Sequence, residues 1–164
     1  WTQFGRSLNT AFSTRDALDR HLRAADLVVC GVLIPGAAAP KLITREHIGM
    51  MKTGSVIVDV AIDQGGCCET SRPTTHDEPT FVVDGVIHYC VANMPGGVPK
   101  TSAHALNNAT LPFVMALADK GWKRALSDDQ HLLAGLNIWN GKITCAPVAA
   151  ALGLPHTPAR EALL

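Results

Sequence analysis

Three short stretches hold residues whose types suit a ligand site: Leu33 to Gly36, Ala61 to Gly66 and Ala92 to Gly97. Each mixes glycine or proline with polar residues, directly after a run of branched apolar ones. The second stretch contains Asp63 and the third Asn93. Taken alone, Asp63 reads as a catalytic carboxyl or as a loop cap, since Asp commonly satisfies local backbone donors. Asn93 alone reads as a turn residue. The adjacent pair Cys67-Cys68, with His76 nearby, raises the question of a metal. Structural zinc sites space their cysteines, so the pair reads as two small, partly buried loop residues. His76, His88 and His104 show no partner pattern and read as surface, strand or helix residues. Asp59 lies inside a strand run and reads as structural.

The elements that must position these stretches follow from the apolar pattern. Ser13-Thr14-Arg15-Asp16 reads as a helix start, with Ser13 as N-cap and Asp16 as its capping-box partner. Ala17, Leu18, His21, Leu22 and Ala25 recur at helical spacing and predict one apolar face. The unbroken run Leu27 to Ile34 predicts a strand buried on both faces, stopped by Pro35-Gly36. Arg45 to Met51 predicts a helix that exits at Lys52-Thr53-Gly54. A second buried strand follows, Ser55 to Val60, then a loop from Gln64 to Pro79. Strand signals return at Thr80 to Val83 and Val86 to Val91, joined by an Asp84-Gly85 turn. This order predicts an open α/β sheet with ligands beyond the carboxyl ends of its strands. Those ends are where the three stretches fall.

Beyond Pro99 the composition turns Ala-, Leu- and Asn-rich. Thr101 to Lys120 predicts one long helix, or two meeting near Pro112, stopped at Gly121. A shorter helix fits Asp128 to Ala134. Asn140-Gly141 signals a turn between Ile138-Trp139 and Lys142-Ile143. Pro147 to Leu152 predicts a last helix, ended by Gly153. No Gly-x-Gly-x-x-Gly occurs in the chain. The fold expected is therefore α/β, the second half of a Rossmann-type parallel sheet followed by helices. The strand that would pair with a missing first strand is left with an unpaired, apolar edge.

Composition narrows the function classes. The 164 residues carry 14 Lys plus Arg against 14 Asp plus Glu, which argues against a basic surface for nucleic acid or an anionic membrane. Aromatics make up only 5%, too few for base-stacking platforms. The 47% hydrophobic content predicts a buried core. Five cysteines without a Cys-x-x-Cys predict a reducing, cytoplasmic setting rather than a disulfide framework. No apolar run reaches the roughly 18 residues a membrane span needs. No signal peptide opens the chain, and residue 1 is Trp, so it is not read as a native start.

Longer strings carry a resemblance. Pro35-Gly36 with Ala39-Pro40-Lys41-Leu42, and the run from Met51 through Val58-Asp59-Val60-Ala61-Ile62-Asp63-Gln64-Gly65-Gly66-Cys67, resemble the alanine dehydrogenase family. So do Val91-Ala92-Asn93-Met94-Pro95-Gly96, Val98-Pro99-Lys100-Thr101-Ser102 and Asn108-Ala109-Thr110-Leu111-Pro112. The resemblance covers nearly the whole chain and aligns it to the family's carboxyl-terminal part. The alpha subunit of nicotinamide nucleotide transhydrogenase shares the fold. The Ala61 to Cys67 and Val91 to Pro95 strings look more like the dehydrogenase.

The resemblance implies reversible, NAD-dependent oxidative deamination of L-alanine to pyruvate and ammonia. Val32, Leu33 and Leu42 match positions lining the cofactor site. Val60, Ala61, Ile62 and Asp63, with Val91, Ala92, Asn93 and Met94, match the two strand-end segments that meet the nicotinamide half. Asp63 matches the family's active-site aspartate, and Asn93 a residue facing nicotinamide and substrate. No metal is implied. The family takes its general acid/base His and a substrate-binding Lys from an amino-terminal domain that nothing here matches. The glycine-rich turn and the ribose-binding Asp are also missing, and Ala38 stands where many relatives carry Lys. The expectation is a carboxyl-terminal fragment, inactive alone. Residues 1–99 would complete the NAD-binding domain and residues 100–164 return to the substrate domain as helices. A full-length parent would be a cytoplasmic homo-oligomer, commonly a hexamer, with no nucleic-acid or membrane partner. The alternatives are a shortened, non-catalytic paralogue that docks through its sheet edge, or a transhydrogenase alpha-subunit fragment.

Overall fold

Helix α1 spans Arg15–Ala24, and Thr14 rather than Ser13 caps it. Thr14 is extended, which places its hydroxyl to accept from the Ala17 amide at 3.2 Å. Asp16 sits in the first turn, where a negative charge meets the positive end of the helix dipole. Ala17 and Leu22 are buried and Leu18 is half-buried, but His21 is exposed. The apolar stripe is thus narrower than its periodicity predicts. These coordinates come from a computed structural model that describes residues 3–36 and 38–164. The expectation about Trp1 lies outside the described residues.

Strand β1 covers only Leu27–Cys30, not the whole run to Ile34. It pairs in parallel with β2, Val56–Asp59, and with no other strand among the described residues. Val28 and Cys30 pack into the core, while Leu27 and Val29 are 59% and 61% exposed. The expectation of burial on both faces is therefore corrected. Both faces of a parallel strand are buried only where helices cover both, and among the described residues no such cover reaches Leu27 and Val29.

Helix α2, Arg45–Met50, lies between these strands in the chain. Its N-cap is a reciprocal box. The Thr44 hydroxyl accepts from the His47 amide, and His47 Nδ1 accepts from the Thr44 amide at 3.0 Å. That leaves the proton on Nε2, which donates to Asp19 of α1 at 2.8 Å. The buried imidazole thus fastens α2 to α1. Beneath them, Leu22, Cys30, Ile43, Ile48, Met51, Ile57 and Val86 share one core.

Strands β3, Thr80–Val83, and β4, Val86–Tyr89, form an antiparallel hairpin. Asp84 and Gly85 both hold positive φ, the turn geometry that follows the native twist of paired strands. The sheet order is β1-β2-β4-β3, with β1, β2 and β4 parallel. Strands β2 and β4 are shorter than expected because Val60 starts a 3₁₀ turn and β4 ends at Tyr89.

The described residues up to Val32, with Ala39–Ala92, make one compact unit. The described residues of 33–38, with Asn93–Leu164, make a second. In the second, α3 runs Pro99–Lys120 as a single helix straight through Pro112, with Gly121 at its end. Helix α4, Trp122–Asp128, is not apparent from the sequence pattern, and α5 is Gln130–Ala134. Asp129 separates them by capping α5, accepting from His131 and Leu132 amides at 2.8 and 3.2 Å. The Asn140-Gly141 turn joins β5, Ile138–Trp139, to β6, Lys142–Ile143, as expected. Helix α6 is Ala146–Leu152, and a 3₁₀ turn closes the unit at Ala159–Leu163. Ala125, Leu126, Ala149 and Ala162 are its buried apolar residues.

Candidate functional site

The parallel register brings most of the candidate residues of the first unit to one end of the sheet. Cys30 lies opposite Asp59, and Val58 opposite Tyr89. The chain therefore leaves β1, β2 and β4 on the same side. Val32 follows β1, the 3₁₀ turn Val60–Gln64 follows β2, and Val91 and Ala92 follow β4. The segment bearing Leu42 joins them through its backbone: Ala39 donates to the Gln64 carbonyl at 2.9 Å and Ile43 to the Cys67 carbonyl at 3.1 Å.

Burial divides these residues by what they can offer a ligand. Ala61, Ile62 and Val91 are buried, and the Ala61 and Ile62 carbonyls already accept from the Gly66 and Gly65 amides at 2.9 Å. Val60 and Leu42 present apolar side chains, 49% and 41% exposed, at the sheet's carboxyl end. Val32 is half-buried, and Asp63 and Ala92 are exposed. An exposed carboxyl flanked by exposed branched side chains can face a cationic group on a ligand whose flat part packs alongside.

The loop behind Asp63 is bonded from both sides. Gly65 and Gly66 take positive φ, and a Cβ on Gly66 would lie 2.7 Å from Asp59 Oδ2. That oxygen accepts from the Cys67 and Cys68 amides at 2.8 and 3.3 Å and from the Ser71 hydroxyl at 2.5 Å. Asp59 is fully buried; these three contacts hold its Oδ2, while Oδ1 has no hydrogen-bond partner among the described residues. The structural reading of Asp59 matches this geometry. On the opposite side, Lys41 Nζ donates to the carbonyls of Gly65, Gly66 and Cys68, the latter two at 3.0 and 3.2 Å.

Cys67 and Cys68 are wholly rather than partly buried, because the Asp59 contacts pull their backbone inward. All five cysteines are free thiols. Cys30 and Cys68 sulfurs lie 3.9 Å apart, and burial with that contact pushes the Cys30 thiol up. Burial also pushes Cys67 up, offset in part by a backbone hydrogen bond from Val32. Among the described residues no cluster of three or more His, Cys, Asp or Glu is placed to hold a metal ion. His88 does have partners: Thr70 Oγ1 at 2.8 Å and the Val86 carbonyl at 3.0 Å. It is a strand residue satisfied within the core.

Leu33, Asn93 and Met94 belong to the second unit. Asn93 is left-handed, at φ 58 and ψ 51, and caps a 3₁₀ turn over Met94–Gly97. Its carbonyl accepts from the Gly96 amide at 2.9 Å, so the turn reading of Asn93 also matches the structure. The same residue lines a cavity of about 620 Å³ with Pro95, Gly96, Pro99, Ser102 and Leu106. The Ser102 hydroxyl reaches the Pro95 and Val98 carbonyls at 2.8 and 3.0 Å, holding that wall to the start of α3. Met94 is half-buried and Leu33 exposed.

Sequence reasoning singled out the strand ends but missed Lys41 and Ser71 as loop anchors. The Gly65-Gly66 pair is the local signal of a tight turn, and nothing in the spacing of Lys41 or Ser71 points to it.

Comparison with known proteins gives a consistent set of likenesses. Residues 2–146 match the family model "Alanine dehydrogenase/PNT, C-terminal domain". An alanine dehydrogenase of Halomonas elongata is 65% identical over 152 residues, covering 93% of this chain and 41% of that protein. A solved L-alanine dehydrogenase matches with TM-score 0.77 and 45% identity, covering 93% of this chain and 42% of that one. A transhydrogenase structure from Sinorhizobium meliloti matches with TM-score 0.52 and 33% identity, covering 59% of this chain and 28% of that one. The chain thus spans about two-fifths of the length of the curated relatives it matches.

Proposed function

The chain belongs to the alanine dehydrogenase/PNT C-terminal domain family, and from that premise we propose that it forms the carboxyl-terminal part of an NAD-dependent alanine dehydrogenase. The reaction is L-alanine, NAD⁺ and water to pyruvate, ammonium, NADH and a proton, and its reverse. The observation that carries this reading is the gathering of three strand-end segments around an exposed Asp63 at the carboxyl end of a parallel sheet.

The residues present fit the nicotinamide half of NAD. Val60 and Leu42 hold apolar side chains in the open at that end, where they can pack on a flat ring. Ala61, Ile62 and Val91 are buried and back this wall in the proposed reading. Val32 and Ala92 extend the wall in this reading, and the resemblance assigns Leu33 and Met94, which belong to the second unit, to cofactor contacts as well. NAD, when bound, supplies the acceptor for the hydride that leaves the substrate Cα. Asp63 places a carboxyl where a substrate ammonium, and positive charge developing at that carbon, would be stabilised. The Asn93 amide offers both a donor and an acceptor to substrate or carboxamide.

Residues 1–99 complete the cofactor domain in this proposal, and residues 100–164 belong to the substrate domain. The general acid/base and a substrate-binding lysine lie in the amino-terminal part of the parent protein, so this chain does not turn over alanine alone. The parent is a cytoplasmic homo-oligomer. Among the described residues no helix is long and apolar enough to cross a membrane.

A chimera tests the proposal: this chain replaces the matching carboxyl-terminal segment of the Halomonas elongata enzyme. NADH oxidation that requires both pyruvate and ammonia is the expected result, lowered on Asp63→Asn to a residual rate that is still measurable. A folded, soluble chimera without that turnover would overturn the reading.

A further inference from the structure

We propose that Lys41 is the positioning residue for Asp63, through a clamp on the loop that follows it; the proposal rests on the reading of Asp63 given above. Asp63 is exposed, so packing does not fix its side chain. Its placement depends on the backbone at either side. Upstream, Ala61 and Ile62 are buried and anchor the 3₁₀ turn. Downstream stand Gly65 and Gly66, which have no side chains to pack. Hydrogen bonds must hold that side.

The loop's backbone groups divide between two side chains of opposite character. Asp59 collects the N–H groups of Cys67 and Cys68 from within the core. Lys41 collects the carbonyls of Gly65, Gly66 and Cys68 from the surface. An ammonium carries three donors, and here all three are committed to carbonyls. Lys41 is therefore not a spare cation for a phosphate or carboxylate. Its geometry is a tripod, with one compact nitrogen reaching three oxygens on a tightly turned loop. A planar guanidinium directs its donors in a fixed fork and cannot reproduce that convergence. The lysine also sits next to Leu42, so one contact set fixes both the apolar wall and the carboxyl of the proposed site. A displacement on the order of 1 Å at a reacting group is worth up to about 100-fold in rate.

The test uses the chimera described above. Lys41→Met is expected to lower kcat by about 10- to 100-fold. In the Asp63→Asn background the same substitution is expected to cost less than about twofold, because residues that act through one another are not additive. Lys41→Arg keeps the charge and is expected to match Lys41→Met. Equal losses in both backgrounds, or full rescue by Lys41→Arg, would overturn the proposal. Amide exchange on the same proteins reads the clamp without turnover. Lys41→Met should speed exchange in the peptide covering residues 62–71 and leave α1 unchanged. Unaltered exchange there sinks the clamp even if the chimera is active. A chimera with no turnover but with the exchange response would overturn the function reading and leave the clamp standing.

Discussion

The loop from Val60 to Ser71 and the helix α3 invert the usual relation between loops and helices. Loops run over surfaces because buried backbone needs partners. This one buries Ala61, Ile62, Gly66, Cys67 and Cys68, and the backbone there has partners. Gly66 donates to the Ala61 carbonyl, Cys67 and Cys68 to Asp59, and Glu69 to the Ile43 carbonyl. Helix α3 bonds its backbone within itself along most of its 22 residues, interrupted at Pro112, which has no N–H, yet buries none of its side chains. Leu106, Leu111, Phe113, Val114, Met115 and Leu117 all stand exposed on it. Regular structure does not guarantee burial here, and irregular structure does not exclude it. What permits burial is partners for the backbone inside, and the loop finds them in two side chains, while Asp59 Oδ1 and Gln64 Oε1 stay unpaired among the described residues.

The comparison breaks most severely at Asp59. Asp59→Ala leaves three donors in a sealed site without an acceptor, and each buried orphan costs about 1–3 kcal/mol. The expected loss is about 3 kcal/mol or more in denaturant unfolding, with alkylation of Cys67 and Cys68 accelerated. A loss below about 0.5 kcal/mol would mean the loop is held by packing instead. Gly66→Ala comes next. The residue holds φ +77, and the added methyl would meet Asp59 Oδ2 at 2.7 Å and Ser71 Cβ at 2.9 Å. Strain of this kind costs about 1–3 kcal/mol. The expected effect is a lowered melting temperature with α3 helicity unchanged by circular dichroism.

The contrast also explains which features were legible in the sequence. Thr80 to Val83, Asp84-Gly85 and Val86 onward announced the hairpin because strand period and turn chemistry are both local. The Asn140-Gly141 hairpin and the Gly153 stop were readable for the same reason. The strand run from Leu27 to Ile34 misled, since hydrophobicity reports what a segment would bury and not what covers it. Helix α4 was not legible, and the break between it and α5 depends on Asp129 bonding two amides, one residue inside the helix expected from Asp128. At the candidate site, Asp63 and Asn93 were found through long strings of residues. The contacts of Lys41 with Gly65 and Gly66 span 24 and 25 positions, and no spacing rule reaches that far.

At the exposed end of the comparison, the same kinds of groups are worth much less. Lys120 closes α3 with an ion pair to Asp128 of α4 at 2.8 Å, both side chains 44% exposed. The bond from Lys120 holds the Asp128 carboxyl below its ordinary range. A carboxyl depressed on folding contributes stability above its unfolded pKa, and that contribution is lost as pH falls through the folded value. Solvent and salt screen the pair, so the effect on unfolding is small beside that of Asp59. An NMR titration of Asp128 is the sensitive measurement. Its midpoint should lie below that of a free Asp in low salt, and should return toward the free value in Lys120→Met and at high ionic strength. A midpoint that ignores both changes would show that the helix corner, rather than the lysine, sets the carboxyl's affinity for its proton. The ranking also inverts what the distances alone suggest: the 2.8 Å ion pair at this corner matches the Asp59–Cys67 bond in length. The difference in consequence comes from water, which replaces a lost partner at Asp128 and cannot reach the amides of Cys67 and Cys68.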